Sequence, residues 1–205
     1  MPTDHDLWQK LKTGDKSCFN LVFRKYFSEL YYYGLRIVPD EELVRECIQE
    51  VFIRIWETRS RLAEVVNVKA YLIVCLRRMI LAGKKNVDKQ MAVRLGTMDS
   101  SAFFFDLNEF ERHEEISDEV KTILLHAVNA LTVKQRELIV LFFYHGLSYE
   151  EIAKVTGITV PAVRNLMCRS LSSLREKLDG KSAEWISNQF FMLFSSVKSK
   201  KNPEV

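Results

Sequence analysis

The sequence predicts an all-α protein: two small helical domains joined by an acidic linker, the second domain a helix-turn-helix. Three observations predict it. The 205 residues include only 7 Gly and 4 Pro, well under the roughly 12% of ordinary usage, and sheet-rich folds consume both at turns. Apolar residues recur at three- and four-residue spacing through most of the chain. Charge is segregated: Arg77, Arg78, Lys84, Lys85, Lys89 and Arg94 stand against Asp88 alone, a net of +5 over 77–97. Over 98–120, eight acids stand against Arg112, a net of −7. A basic segment followed by an acidic, weakly periodic one marks the end of a domain and a linker. The expected division is a domain at 1–92, a linker at 93–117, a second domain at 118–180 and an amphipathic tail at 181–205.

Each helix has its own local warrant. Asp15 is a fair N-cap after Gly14, and Phe19, Val22, Phe23, Tyr26, Phe27 and Leu30 follow at helical spacing. Pro39-Asp40-Glu41-Glu42 opens the next helix, with acids suited to its N-terminal dipole. Its apolar face is Val44, Cys47, Ile48, Val51, Phe52 and Ile55. A third helix runs from about Val68 to Lys84, apolar at its start and basic at its end. A fourth, from roughly Ser117, carries Val120, Ile123, Leu124, Ala127 and Val128 on one face. Thr132-x-x-Gln135 is a capping box opening a helix that ends at Gly146, and Ser148-x-x-Glu151 opens a short helix ending before Gly157. Thr159 caps the last long helix, with Pro161 tolerated in its first turn.

The last two helices form the strongest motif. Ala153 is small where the following helix must cross closely, and Gly157, four residues on, supplies a left-handed turn. Ile152, Ile158 and Val163 are expected to plug the angle between the helices. In the second helix, about Val160 to Leu178, the inward stripe is Val163, Met167, Leu171, Leu174 and Leu178. Arg164, Asn165 and Arg169 lie off that stripe. Arg binds guanine bidentately and Asn binds adenine the same way. A plain helical hairpin with solvated arginines is the competing description. Taken by itself, the motif indicates DNA binding and not a biological role.

Composition excludes several classes. A net charge of +3 argues against a uniformly basic binder. Cys18, Cys47, Cys75 and Cys168 are scattered through apolar-periodic segments, with no Cys-x-x-Cys pair, which reads as core thiols in a reducing compartment. Four dispersed His, no phosphate-cradling glycine loop and no nucleophile motif argue against an enzyme, a cofactor or a metal site. The first residues lack the basic and apolar regions of a signal peptide, and the longest apolar runs are too short to span a bilayer. A cytoplasmic protein without membrane insertion is expected.

Both halves together resemble one family. The stretch Glu46-Cys47-Ile48-Gln49-Glu50-Val51-Phe52-Ile53-Arg54-Ile55-Trp56 is similar to the Asp-x-x-Gln-Glu-x-Phe-x-x-x-Trp signature of bacterial RNA polymerase sigma factors. Gly146-Leu147-Ser148-Tyr149-Glu150-Glu151-Ile152-Ala153, followed by Gly157-Ile158, resembles their promoter-reading fourth region. Two such regions with a short linker resemble the extracytoplasmic-function group of the sigma-70 family. The resemblance spans roughly residues 7–90 and 118–178.

It implies binding to core RNA polymerase, promoter recognition and DNA melting. The alternative is a helix-turn-helix regulator that acts without polymerase. Glu46, Gln49, Glu50, Ile53 and Glu57 form a stripe opposite the apolar face of their helix. In the family this surface docks on the clamp helices of the largest polymerase subunit; the stripe is also what a solvated face looks like. Tyr71, Arg78 and Lys85 recur every seven residues, as do Arg77 and Lys84. An aromatic ring with cations along one stripe suits a separated DNA strand, and the family uses this region on the downstream promoter element. The other reading makes Tyr71 core and the cations solvated.

At the upstream element the resemblance implies Arg164, Asn165 and Arg169 in the major groove, with Ser148 and Tyr149 beside them, and the flap of the second-largest subunit as a further partner. Relatives commonly have Asn in place of Arg78 and Arg in place of Leu166, so a base or phosphate contact is expected to differ. In the tail, Ile186, Phe190, Leu193, Phe194 and Val197 share a helical face. It suits either docking on the chain's own domain or a groove in an anti-sigma factor or polymerase. Free of partners, the chain is expected to be monomeric.

Overall fold

The computed structural model describes residues 2–91, 118–178 and 188, with the side chains of 84–91 and 118–121 outside the description. The linker at 93–117 and the apolar residues named in the 181–205 tail therefore lie outside the described residues. Among the described residues every regular element is helical. The chain divides into two compact units, Met1–Ala102 and Phe103–Val205.

The first unit holds α1 (Asp4–Lys12), α2 (Lys16–Ile37), α3 (Glu41–Glu57), a 3-10 turn (Arg59–Arg61) and α4 (Val68–Met91). The sequence reading did not anticipate α1. A capping box starts it: Thr3 Oγ1 accepts from the Asp6 amide at 3.2 Å, and the Thr3 amide donates back to Asp6 at 2.9 Å. Its Leu7, Trp8 and Leu11 are buried against the rest of the unit. Asp15 caps α2 by accepting from the amides of Ser17 and Cys18, and Asp40 caps α3 through the amide of Leu43.

α2, α3 and α4 pack on one another, with α1 against α2 and α4. Leu30, Ile48, Leu72, Ile73 and Leu76 are fully buried, each worth about 1.5–3 kcal/mol relative to an exposed side chain, as an upper bound. At Gly34 α2 lies close against α3: a Cβ there would sit 2.6 Å from a Val44 methyl.

The second unit holds α5 (Asp118–Asn129), α6 (Val133–Ile139), a π-helical turn (Val140–Tyr144), α7 (Tyr149–Thr156) and α8 (Val160–Lys177). α8 is the hub: α5, α6 and α7 all pack against it. Gly146 and Gly157 both adopt left-handed backbone, at φ 64° and 77°, where an L side chain costs about 1–2 kcal/mol.

Three expectations need correction. Ile158 does not plug the interhelical angle: it is 38% exposed beside the Gly157 turn, and Ile152 and Val163 fill the angle without it. Ile123 is 44% exposed, because α5 buries Leu124, Leu125, Ala127 and Val128 instead. The thiols are not all core. Cys18 and Cys47 are buried and Cys75 is half-buried, but Cys168 is exposed on the outer side of α8.

Candidate nucleic-acid interface

In the second unit the helix-turn-helix is held by local hydrogen bonds as well as by packing. The Ser148 hydroxyl accepts from the Glu151 amide at 3.2 Å, while the Ser148 amide donates to the Glu151 carboxylate at 2.8 Å. The Gly157 amide donates to the Ala153 carbonyl at 2.9 Å and ends α7. Thr159 Oγ1 then accepts from the Ala162 amide and opens α8, with Pro161 in the first turn. Buried Val163, Met167, Ser170 and Leu174 fix which side of α8 faces inward. Leu171, expected in that stripe, is only half-buried, and Leu166 flanks the stripe half-buried.

The outward side of α8 follows by exclusion. Arg164, Asn165, Cys168 and Arg169 are all exposed, within one and a half turns. Two guanidiniums offer the paired donors that read a guanine edge, and the amide offers the donor and acceptor that read an adenine edge. Ser148 is exposed at the start of α7, its hydroxyl oxygen accepting one bond, so one donor and one acceptor position remain to it. Tyr149 is half-buried, stacked on Phe142 with centroids 5.3 Å apart and planes 28° apart. The Arg164 guanidinium sits 6.0 Å from the Tyr149 ring centroid.

Sequence reasoning missed Phe142 because it lies in the π turn, where the 3.6-residue period breaks. The Arg136 guanidinium, part-buried on α6, has its pKa pushed down by burial.

In the first unit the Glu46–Trp56 signature splits into two halves. Cys47, Ile48, Val51, Phe52 and Ile55 are buried. Phe52 meets Phe19 and Phe23 edge-on at 5.9 and 4.9 Å, and Trp56 meets Phe19 at 5.1 Å. Arg59 closes the end of α3, donating to the Trp56 carbonyl at 2.6 Å with its guanidinium 4.5 Å from the Trp56 centroid. The other half faces out: Glu46 and Gln49 are exposed and Glu50 is partly so, paired with Arg54 at 2.6 Å, with Glu57 exposed just beyond. Ile53 among them is 51% exposed. The acidic stripe thus has an apolar centre and one internal counter-charge.

On α4 Tyr71 is neither wholly core nor wholly surface. It is half-buried against fully buried Trp8, so it belongs to the core edge and to the surface together. Burial pushes its hydroxyl pKa up to about 12. Arg77 is half-buried and Arg78 exposed; the side chains of Lys84 and Lys85 lie outside the described residues. Among the described residues no helix is long and apolar enough to cross a membrane, and no group of three or more His, Cys, Asp or Glu could hold a metal ion.

Comparison with known proteins agrees with this geometry. Residues 22–86 match the family profile "Sigma-70 region 2" and residues 121–174 match "Sigma-70, region 4". The extracytoplasmic-function (ECF) RNA polymerase sigma-E factor of Escherichia coli K12 is 28% identical over 192 residues, 87% of this chain and 94% of that protein. The ECF RNA polymerase sigma factor SigX of Bacillus subtilis is 25% identical over 170 residues, 78% of this chain and 84% of that protein.

Two solved structures share the fold at 19% identity. The sigma factor RpoE of Bartonella quintana, crystallised with the anti-sigma factor NepR, has a TM-score of 0.59 and covers 80% of this chain and 98% of its own. CnrH, in complex with the cytosolic domain of CnrY, has a TM-score of 0.57 and covers 87% of this chain and 99% of its own. With both regions matched in order along one chain, this protein belongs to the extracytoplasmic-function group of the sigma-70 family.

Proposed function

We propose that the chain binds core RNA polymerase through the outward half of α3, places it at promoters through α8, and helps open the DNA through α4. The observation that carries this reading is the joint presence in one chain of the Glu46–Gln49–Glu50–Ile53 stripe and the Arg164–Asn165–Arg169 face. A regulator acting without polymerase needs only the second. The proposed units are 1–92 for polymerase and the downstream element and 118–180 for the upstream element, joined by 93–117. Tyr71, Arg77, Arg78, Lys84 and Lys85 are the proposed strand-handling residues. Ser148 and Tyr149 flank the proposed base readers, and the polymerase flap is a further partner. The protein's work is binding, with no reaction of its own, and it belongs where polymerase and chromosome are, in the cytoplasm. An anti-sigma factor is a fitting regulator, since one fold neighbour was solved with one, and the tail at 181–205 is a candidate contact.

The test is reconstitution with purified core polymerase. Glu50→Lys is expected to weaken core binding with the fold intact, and Ile53→Ala to do so with stability changed by less than about 0.5 kcal/mol. Arg164→Ala is expected to lower promoter-specific transcription while core binding stays normal. A wild-type chain that forms no stoichiometric complex with core would instead favour the polymerase-independent regulator.

A further inference from the structure

A shelf of rings underlies one of the proposed base readers. Arg164 lies over Tyr149, Tyr149 stacks on Phe142, and Phe142 meets Phe143 edge-on with centroids 5.0 Å apart and planes 85° apart. Phe142 and Phe143 are half-buried in the π turn, between buried Leu141 and Tyr144. A π turn carries one residue more per hydrogen-bonded ring than an α-helix, and such turns are frequent at functional sites. Here the turn presents Phe142 to α7 and not wholly to the core.

We infer that Tyr149 and Phe142 are positioning residues for Arg164, holding its guanidinium ready on the outer side of α8 before DNA arrives. The inference rests on the base-reading role proposed for Arg164. An exposed arginine head samples many rotamers, and ordering it is part of the cost of binding. A ring face 6.0 Å from the guanidinium carbon attracts the cation and restrains the head without using any of its N–H donors. Those donors are the ones a bidentate contact with guanine O6 and N7 needs. Phe142 acts one step removed, by fixing the tilt of the Tyr149 ring. A direct DNA contact through the Tyr149 hydroxyl makes a different demand, because it needs the oxygen and not the ring.

Holoenzyme assembled from core polymerase and each variant, transcribing from templates with a randomised upstream element, separates these possibilities. Arg164→Ala is expected to erase preference at one base position by about tenfold or more. Tyr149→Leu and Phe142→Leu should each weaken preference at that same position by about two- to fivefold and leave other positions unchanged. Tyr149→Phe should match wild type, and Tyr149→Leu added to Arg164→Ala should change nothing further there.

An even loss across all positions, an unchanged Arg164 position, or a Tyr149→Phe variant behaving like Tyr149→Leu overturns the inference and leaves the base-reading proposal standing. No change on Arg164→Ala removes the base-reading proposal, and this inference with it. NMR of the free wild-type chain gives a measure independent of how the leucine variants fold. The Arg164 δ protons should be shifted upfield by the Tyr149 ring current, as they should remain in Tyr149→Phe. An unshifted wild-type signal overturns the shelf.

Discussion

Trp8 and Tyr71 meet edge to face, with ring centroids 5.3 Å apart and ring planes 68° apart. Trp8 is fully buried and Tyr71 half-buried, so the proposed strand-handling ring is braced from behind by α1. Removing the brace leaves a large cavity. Trp8→Ala should destabilise the first unit by about 3–5 kcal/mol, read by urea unfolding, and should also reduce promoter opening in a permanganate footprint. Trp8→Phe keeps an edge for Tyr71 and should retain most of both. A Trp8→Ala protein as stable as wild type would mean that α1 contributes nothing to this core.

Cys168 offers a chemical probe of α8 already present in the chain. It is exposed beside Arg164, Asn165 and Arg169, whereas Cys18 and Cys47 are buried and Cys75 is half-buried. Burial also pushes the thiol pKa of those three up, which lowers their thiolate fraction. A maleimide near pH 8 should therefore label Cys168 first, as peptide mapping would detect. Promoter DNA bound by the holoenzyme should slow that labelling at least severalfold. Equal rates with and without DNA would place α8 outside the groove.

What the sequence revealed about this fold was mostly what is local. Asp15, Asp40, Thr132, Ser148 and Thr159 cap their helices through bonds two or three residues away, so a short window contains both partners. α1 was not legible because a nine-residue helix is marginal without its packing, and the ring that receives Trp8 is sixty-three residues downstream. Ile123 and Ile158 were misplaced because hydrophobicity states a preference and not an outcome. The outward faces of α3 and α8 could be read from period alone. The Phe142–Tyr149–Arg164 shelf could not, since the π turn breaks the 3.6-residue period at Phe142 itself and the three residues lie on three separate elements.

α1 should also respond to acid. The Tyr26 hydroxyl donates to Asp4 at 2.7 Å and Lys25 pairs with the same carboxylate. Partial burial pushes the Asp4 pKa up, but these bonds outweigh it and hold it below the ordinary value of 3.8. Glu64, bound by Lys12 and Gln9, is lowered likewise, chiefly by its hydrogen bond from Lys12. A depressed carboxylate stabilises the folded state above its unfolded pKa, and that contribution is lost as pH falls through the folded one. Amide exchange in residues 4–12, corrected for intrinsic rate, should therefore accelerate below about pH 4. Asp4→Asn should speed it at neutral pH and flatten the acid response. An acid response unchanged by Asp4→Asn would assign it to other carboxylates.

Leu166 is the position on α8 where the resemblance to the family leads one to expect arginine. It lies half-buried on the flank between inward Ser170 and outward Arg169, and its carbonyl accepts from the Ser170 hydroxyl at 2.7 Å. An arginine stem can occupy the leucine's place while the guanidinium extends past the flank toward a phosphate. Because only the end of the side chain changes surroundings, Leu166→Arg should cost no more than about 1 kcal/mol of stability. Each added phosphate contact releases condensed counterions, so the slope of log affinity against log salt should steepen by about 0.9. Holoenzyme–promoter affinity across a salt series measures that slope, and affinity should rise most at the lowest salt. An unchanged slope in a folded Leu166→Arg protein would mean that this flank of α8 faces away from the DNA backbone, and that the leucine is an extension of the inner stripe and not a missing contact.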